Sequence, residues 1–447
     1  MANCEHLLKD YMEHVEALSP GETEFHQAVA HVAGDVITIE KANSEFANAR
    51  VLDRLAVPDR VIGFRVVWQN DAGEVEVNRG WRVQYSNAIG PYKGGLRFHP
   101  TVNPSILKFL GFEQVFKNAL TGLPLGGGKG GADFDPTGRS DAEIMRFCQA
   151  FMRELAHHIG PDRDVPAGDI NVGTREIGWL FAAYKAQDCE FTGALTGKGQ
   201  SFGGSAMRTE ATGYGLIYFV EAMLAEQGQE IGGKRIAISG KGNVATHAAE
   251  KAVALGGKVI TLSDTSGCLV AEDGLTADAI DWVRQRKQAG RDIADPPKGW
   301  GARFVKGSAP WDHEANIALP CATQNEVDKQ MAKRIVDNGA KILAEGANMP
   351  LTAAAREVIE SAELHHAPGK ASNAGGVAVS GLEMSQNSHR RFSSAAEVDG
   401  ELKQIMRGIH DRVAAEGRQS GRIDYARGAN IAGFRKVAQA IAAMGAI

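Results

Sequence analysis

Residues 234–264 restrict the fold more than any other stretch. Lys234-Arg235-Ile236-Ala237-Ile238-Ser239 has the character of a strand, and Gly240-Lys241-Gly242-Asn243-Val244-Ala245 follows it without a linker. Val244 to Leu255 then reads as a helix, and Lys258 to Ser263 as a second strand ending at Asp264. Strand, GxGxxA turn, helix, strand and terminal acid, in that order, make up half of a Rossmann-like dinucleotide-binding domain. The two glycines allow a tight turn and a close backbone approach to a pyrophosphate, and a helix N-terminus stabilises its charge. Gly240, Gly242, Asn243, Val244 and Asp264 are therefore candidate cofactor contacts.

Which nicotinamide dinucleotide fits is less restricted. An acid at the end of the second strand commonly accepts from the ribose 2′-hydroxyl, which favours NAD. Thr265 and Ser266, which follow it, can instead donate to a 2′-phosphate. Arg284, Arg286, Lys287 and Arg291 lie close downstream, either as neutralising charges or as a solvated helix face.

A chain of 447 residues exceeds the size at which one core keeps growing, so two domains are predicted. A formal net charge of -5 argues against nucleic acid or an anionic membrane as the main partner. The five cysteines (Cys4, Cys148, Cys189, Cys268 and Cys321) are scattered and form no CxxC, which indicates neither a disulfide framework nor a zinc or other metal site. A reducing, cytoplasmic location fits. The opening Met-Ala-Asn-Cys-Glu-His lacks a basic region followed by an apolar stretch, and no apolar run reaches ~18 residues, so neither signal peptide nor membrane span is expected.

Residues 61–67 and 75–85 read as strands joined by the turn-like Asn70-Asp71-Ala72-Gly73. Ser105 to Leu120 has helical periodicity, a glycine loop occupies 126–131, and a further helix is expected from about Ser140 to His158. The polar segment Thr196 to Ser205 is a plausible hinge between domains, and helices are expected near 211–227 and 398–413.

Three lysines stand in unusual settings. Lys93 lies in Gly90-Pro91-Tyr92-Lys93-Gly94-Gly95, where glycine lets backbone approach a bound group. Gln114 and Lys117 share a helix face, whereas Lys108 points nearly the opposite way and reads as solvated. Lys129 is enclosed by Gly126-Gly127-Gly128 and Gly130-Gly131, at a cost in backbone entropy that a mere surface turn does not require. Asp169, in Val165-Pro166-Ala167-Gly168-Asp169-Ile170, would alone be a turn or cap residue; beside a lysine cluster it becomes a candidate general base.

Several long motifs resemble those of the hexameric glutamate dehydrogenases. They are Gly90-Pro91-Tyr92-Lys93-Gly94-Gly95-Leu96-Arg97-Phe98-His99-Pro100, the run from Leu123 to Gly131, and Pro166-Ala167-Gly168-Asp169. Arg208 to Gly215, Leu319 to Asn325, Ala344 to Asn348, Asn373 to Val377 and Gly428 to Phe434 extend the likeness over almost the whole chain. It is strongest to the small, NADP-using type, including Ser263-Asp264-Thr265-Ser266-Gly267.

The resemblance implies two α/β domains around a cleft. Residues 1–200 would form a substrate-binding and oligomerisation domain, 201–425 a Rossmann-like NADP-binding domain, and 426–447 a segment packing back on the first. It implies a homohexamer acting on glutamate, 2-oxoglutarate and ammonia with NADP, NAD remaining possible. Lys129 would be the catalytic lysine and Asp169 the proton shuttle. Lys93, with Ser380 from the other domain, would hold the side-chain carboxylate. Lys117, aided by Gln114 and Gly168, would hold the α-carboxylate, with Ala167 and Val377 lining the path between. Arg208, Thr212, Ser266, Ala322, Thr323 and Asn348 would join the glycine turn in holding the cofactor.

Asn171 and Thr174 stand where the family more often has glycine, and Lys241 where a small residue is usual; it could reach a phosphate or point to solvent. The adjacent pairs His157-His158 and His365-His366 read as surface or packing residues rather than ligands. A branched-chain or aromatic amino-acid dehydrogenase should carry an apolar residue in place of Lys93. A dinucleotide-binding regulatory protein would be expected to lack Lys129 or Asp169.

Overall fold

A computed structural model describes residues 2–419 and 421–446. The chain divides into two compact units. Unit 1 runs as far as Ala206 and also takes Val379–Val398 and the chain from Asn430 onward; unit 2 comprises Met207–Ala378 and Asp399–Ala429. The segment 196–205, a plausible hinge between domains, ends next to the boundary that follows Ala206. Val379–Val398, expected with the cofactor-binding part, groups with unit 1. The boundary falls inside the helix Gly375–His389, between Val377 and Ser380.

Unit 1 is built on five strands: β1 (Arg60–Gln69), β2 (Val75–Ser86), β3 (Tyr92–Phe98), β4 (Gly127–Ala132) and β5 (Asp164–Gly168), in the order β1-β2-β4-β3-β5. β1 and β2 are an antiparallel hairpin, closed by Asn70, whose side chain accepts from Ala72 N at 3.0 Å. β4 runs antiparallel to β2 but parallel to β3, and β5 is parallel to β3. The helices Asp141–Leu155 and Thr174–Asp188 contribute to an aromatic core in which Phe134 and Phe147 stack at 3.8 Å. Ser140 starts the first of these helices with a capping box completed by Glu143.

Two expectations change here. The glycine stretch around Lys129 is a central strand of the sheet rather than a loop. Glycine has little intrinsic strand preference, so close packing is what places it there: a Cβ on Gly94 of β3 would fall 1.7 Å from the Gly128 carbonyl oxygen on β4. Lys108 is buried rather than solvated. Its ammonium meets Glu22 at 2.5 Å and Ser19 at 2.8 Å, and lies 4.5 Å from the centre of the Phe25 ring, because N-terminal helices cover that face.

Unit 2 has a seven-stranded sheet of order β12-β11-β10-β6-β7-β8-β9. Its strands are β6 (Arg235–Ile238), β7 (Lys258–Asp264), β8 (Gly267–Val270), β9 (Arg303–Lys306), β10 (Ile317–Leu319), β11 (Ile342–Ala344) and β12 (His365–Ala367). The five from β12 to β7 are parallel, and β8 and β9 add an antiparallel edge. The helix Asn243–Ala254 connects β6 to β7, and an apolar cluster including Ala237, Ile260, Ala318 and Leu343 fills one face. Among the described residues no helix is long and apolar enough to cross a membrane.

Candidate functional site

In unit 1 the sheet register assembles a buried cluster of charge. Lys129 projects from β4, and Asp169 follows the last residue of β5. Their side chains meet at 2.9 Å, with 5% of the lysine and 15% of the aspartate side chain exposed. Burial pulls the Lys129 ammonium below its ordinary value of 10.5, and the positive charges of Arg97 and Arg82 add to this, while Asp169 opposes it. Burial alone would raise the Asp169 carboxyl, but Lys129 and Arg97 outweigh it and hold the group well below the usual carboxylate range. The pair joins a lysine whose ammonium is disfavoured by burial with a carboxylate kept ionised.

Behind this pair lies a second one. Arg82 on β2 and Asp164 on β5 are both fully buried. Asp164 accepts from Arg82 Nε at 2.9 Å, from its Nη2 at 2.5 Å and from Gln84 at 3.0 Å. The remaining Arg82 nitrogen, Nη1, donates to the Gly94 carbonyl at 3.1 Å. Strands β2, β3 and β5 are thus tied together across the floor of the cluster.

Lys93, on β3, is 1% exposed and donates to Thr196 Oγ1 at 2.7 Å. Gln114 and Lys117 lie half-buried on the helix Pro104–Thr121. Gln114 donates to Asn118 at 2.7 Å, and Asn118 in turn donates to the backbone oxygens of Lys93 and Gly126. Ala167 is buried on β5, next to Gly168 at the strand's end. Ser380 is buried in unit 1, so it shares that unit with Lys93 instead of reaching it from the other domain. Three residues further along the same helix, Glu383 accepts from Gly197 N at 2.9 Å and from the buried Lys198 ammonium at 2.7 Å, which fixes the segment that carries Thr196. Asn171 adopts a left-handed conformation with φ of 59°, which accounts for an asparagine where glycine is also at home.

Thr196, Asn118, Arg82, Asp164 and Arg97 were not singled out from sequence. The only signal for Arg97 was its place inside the Gly90–Pro100 motif. The other four depend on strand pairing and on contacts distant along the chain.

In unit 2 the glycine turn has the features a dinucleotide requires. Gly240 has φ of +88°, and a Cβ there would come within 3.1 Å of the Ala322 backbone, so the turn leaves room for backbone to approach a ligand but none for a side chain. Gly242 caps the N-terminus of the helix Asn243–Ala254. Thr212 and Arg208 lie together against Gly376. Ala322 N donates to Glu326 at 2.9 Å, which orders the loop holding Thr323, and Asn348 accepts from Asn373 at 3.0 Å. Two left-handed residues, Asn325 and Met349, are joined by a backbone hydrogen bond of 3.0 Å beside these positions. Cys321 is buried and its thiol is pushed well up by that burial, which leaves it no nucleophilic role.

Asp264 does not stand open to a ribose hydroxyl. One carboxylate oxygen accepts from Ser266 N at 2.9 Å and Ser266 Oγ at 2.6 Å; the other accepts from Lys241 at 3.1 Å and Ile293 N at 3.2 Å. Burial would raise this carboxyl, yet Ser266 and Lys241 hold it below its ordinary value. Lys287 donates to Asn243 at 3.2 Å and is held down by burial and by the nearby Lys241. Arg284 and Arg286 are engaged with Glu250 and Asp292, at 2.8 and 3.1 Å. The glycine cradle and this cation pair fit a phosphorylated dinucleotide.

A buried lysine–aspartate pair in one unit and a glycine-turn nucleotide fold in the other define a nicotinamide-linked dehydrogenase. Residues 203–445 match the family described as Glutamate/Leucine/Phenylalanine/Valine dehydrogenase, and 58–186 its dimerisation domain, so the chain belongs to that family. It is 54% identical to the NADP-specific glutamate dehydrogenase of Psychrobacter sp. (strain TAD1), over 97% of this chain and 98% of that one. It is 53% identical to the NAD-specific glutamate dehydrogenase of Bacteroides fragilis, over 98% and 100%. The crystal structure of Plasmodium falciparum glutamate dehydrogenase superposes with a TM-score of 0.95 at 44% identity, covering 99% of this chain and 96% of that one.

Proposed function

We propose that the chain catalyses the reversible oxidative deamination of L-glutamate to 2-oxoglutarate and ammonia with NADP(H), as a cytoplasmic homohexamer. The observation that carries the chemistry is the buried contact of 2.9 Å between Lys129 and Asp169. Bound NADP+ supplies a hydride acceptor for the substrate Cα. Asp169 takes a proton from the substrate ammonium, so that the amine lone pair can drive hydride departure and leave an iminium carbon. Lys129, in its neutral form, activates the water that attacks that carbon, and Asp169 returns a proton to the departing ammonia. In the reverse direction the Lys129 ammonium polarises the 2-oxoglutarate carbonyl.

Each carboxylate of a dicarboxylate substrate needs a cation. Lys93, with Ser380, serves the side-chain carboxylate, and Lys117, with Gln114 and Gly168, the α-carboxylate. Ala167 is assigned to the methylene path within unit 1, and Val377 is the residue of unit 2 assigned to the substrate. Arg208, Thr212, Asn243, Val244, Ala322, Thr323 and Asn348 are assigned to the cofactor. Lys241 favours NADP because it already neutralises Asp264 and adds a cation beside Ser266.

Initial rates with 2-oxoglutarate and ammonia, NADPH against NADH, test the reading. Turnover with NADPH is expected. No turnover with either nucleotide would remove the enzyme assignment, and a strong NADH preference would remove the coenzyme assignment alone.

A further inference from the structure

Asp169 carries two cations, one on each carboxylate oxygen. Lys129 Nζ lies 2.9 Å from Oδ1, and Arg97 Nε donates to Oδ2 at 2.8 Å. All three side chains are largely withdrawn from water, Arg97 being 12% exposed. The register fixes this arrangement: Leu96 pairs with Gly168 across β3 and β5, which sets Arg97 and Asp169, each one residue further on, beside one another. Arg97 also pairs with Gly131 of β4, the strand that bears Lys129. Of the other buried cations on these strands, Arg82 is paired with Asp164, and Lys93 donates to the neutral Thr196 hydroxyl at 2.7 Å.

The two cations differ in kind. A guanidinium does not lose its proton in a protein, whereas a buried ammonium can. A carboxylate left in this setting with only a neutral lysine would itself bind a proton, and lysine and aspartate would then exchange one proton as a coupled pair. We propose that Arg97 is a positioning residue for the reaction: its fixed charge on Oδ2 aims Asp169 and returns it to the ionised form after each proton it passes, while Lys129 gives up and regains its own. Arg97 is then the only member of the triad whose charge stays fixed through the whole cycle. This rests on the roles assigned above to Lys129 and Asp169.

Arg97→Gln keeps an N–H able to reach the carboxylate and removes the charge. Its kcat is expected to fall by about tenfold or more, and the pKa values that govern kcat/KM to move to higher pH by about one unit, because Asp169 loses a stabilising cation and Lys129 a repelling one. The KM for 2-oxoglutarate should stay unchanged, since other lysines hold its carboxylates. A pH profile that stays in place while kcat and thermal midpoint fall together would reduce Arg97 to a packing role and overturn the proposal. Should Arg97→Gln not fold, Arg97→Lys keeps the charge while loosening the contact: kcat is expected to fall with the pH profile close to that of the unaltered protein, and a profile displaced by a full unit refutes the charge-based role. Full activity of Asp169→Asn would instead dismiss the roles of the lysine–aspartate pair themselves.

Discussion

Asp164→Asn changes one atom in the middle of unit 1. Its cost follows from the contacts. Asp164 neutralises Arg82 through bonds of 2.9 and 2.5 Å, with both side chains fully buried. Asparagine keeps the size but leaves the guanidinium with only the Gly94 carbonyl and a neutral amide as partners. Removing one member of a buried ion pair costs about 3–5 kcal/mol, because the survivor is an uncompensated charge. At roughly 2–4 °C per kcal/mol for a unit of this size, the thermal midpoint of unit 1 should fall by about 6–20 °C. Scanning calorimetry of the full chain measures it. Arg82→Met/Asp164→Leu should recover part of the loss, since no charge remains buried, though the Gly94 carbonyl still lacks its donor. A loss in Asp164→Asn below about 1 kcal/mol, or a double variant less stable than the single one, would show that the pair is solvated or rearranged and that this reasoning fails.

Lys93→Leu should raise the KM for glutamate and 2-oxoglutarate by about 10²-fold, from loss of a charge-assisted contact, and improve use of apolar amino acids; steady-state kinetics on both substrate classes checks this. Lys241→Ser should weaken binding of 2′,5′-ADP about tenfold while sparing 5′-AMP. Calorimetric titration showing equal losses would mean that Lys241 does not distinguish the two. The acid limb of the deamination profile should titrate with an apparent pKa below 10.5, because a Lys129 lowered by burial supplies its free base at lower pH than an exposed lysine; a limb at or above that value would contradict the assignment.

The cofactor unit was legible because its signals are local. The reading of 234–264 as strand, turn, helix and strand corresponds to β6, the helix Asn243–Ala254 and β7. Lys93, Lys129 and Asp169 stand out by their surroundings in sequence, but the surface they stand on does not. Gly127–Ala132 carries no strand signal of its own, and it is extended only because β2 and β3 pair with it on either side. Lys108 was misplaced for a related reason: helical periodicity gives a face, not what covers it, and the Ser19–Phe25 region comes from far away in the chain. The contact of Arg97 with Asp169 needs the β3–β5 register, and the grouping of Ser380 with unit 1 needs the packing of a whole helix.

The strand that bears Lys129 cannot hold itself extended. Four of its six residues are glycine, so its shape is borrowed from neighbours that must already be in register. A chain with β2 and β3 unpaired therefore has no catalytic geometry at all, and a folding intermediate of unit 1 would be inert rather than weakly active. Strands with partners on both sides release their amides to solvent only in the largest openings of a structure. The lysine proposed to lose and regain a proton in each turnover thus hangs from one of the least yielding pieces of backbone in its unit.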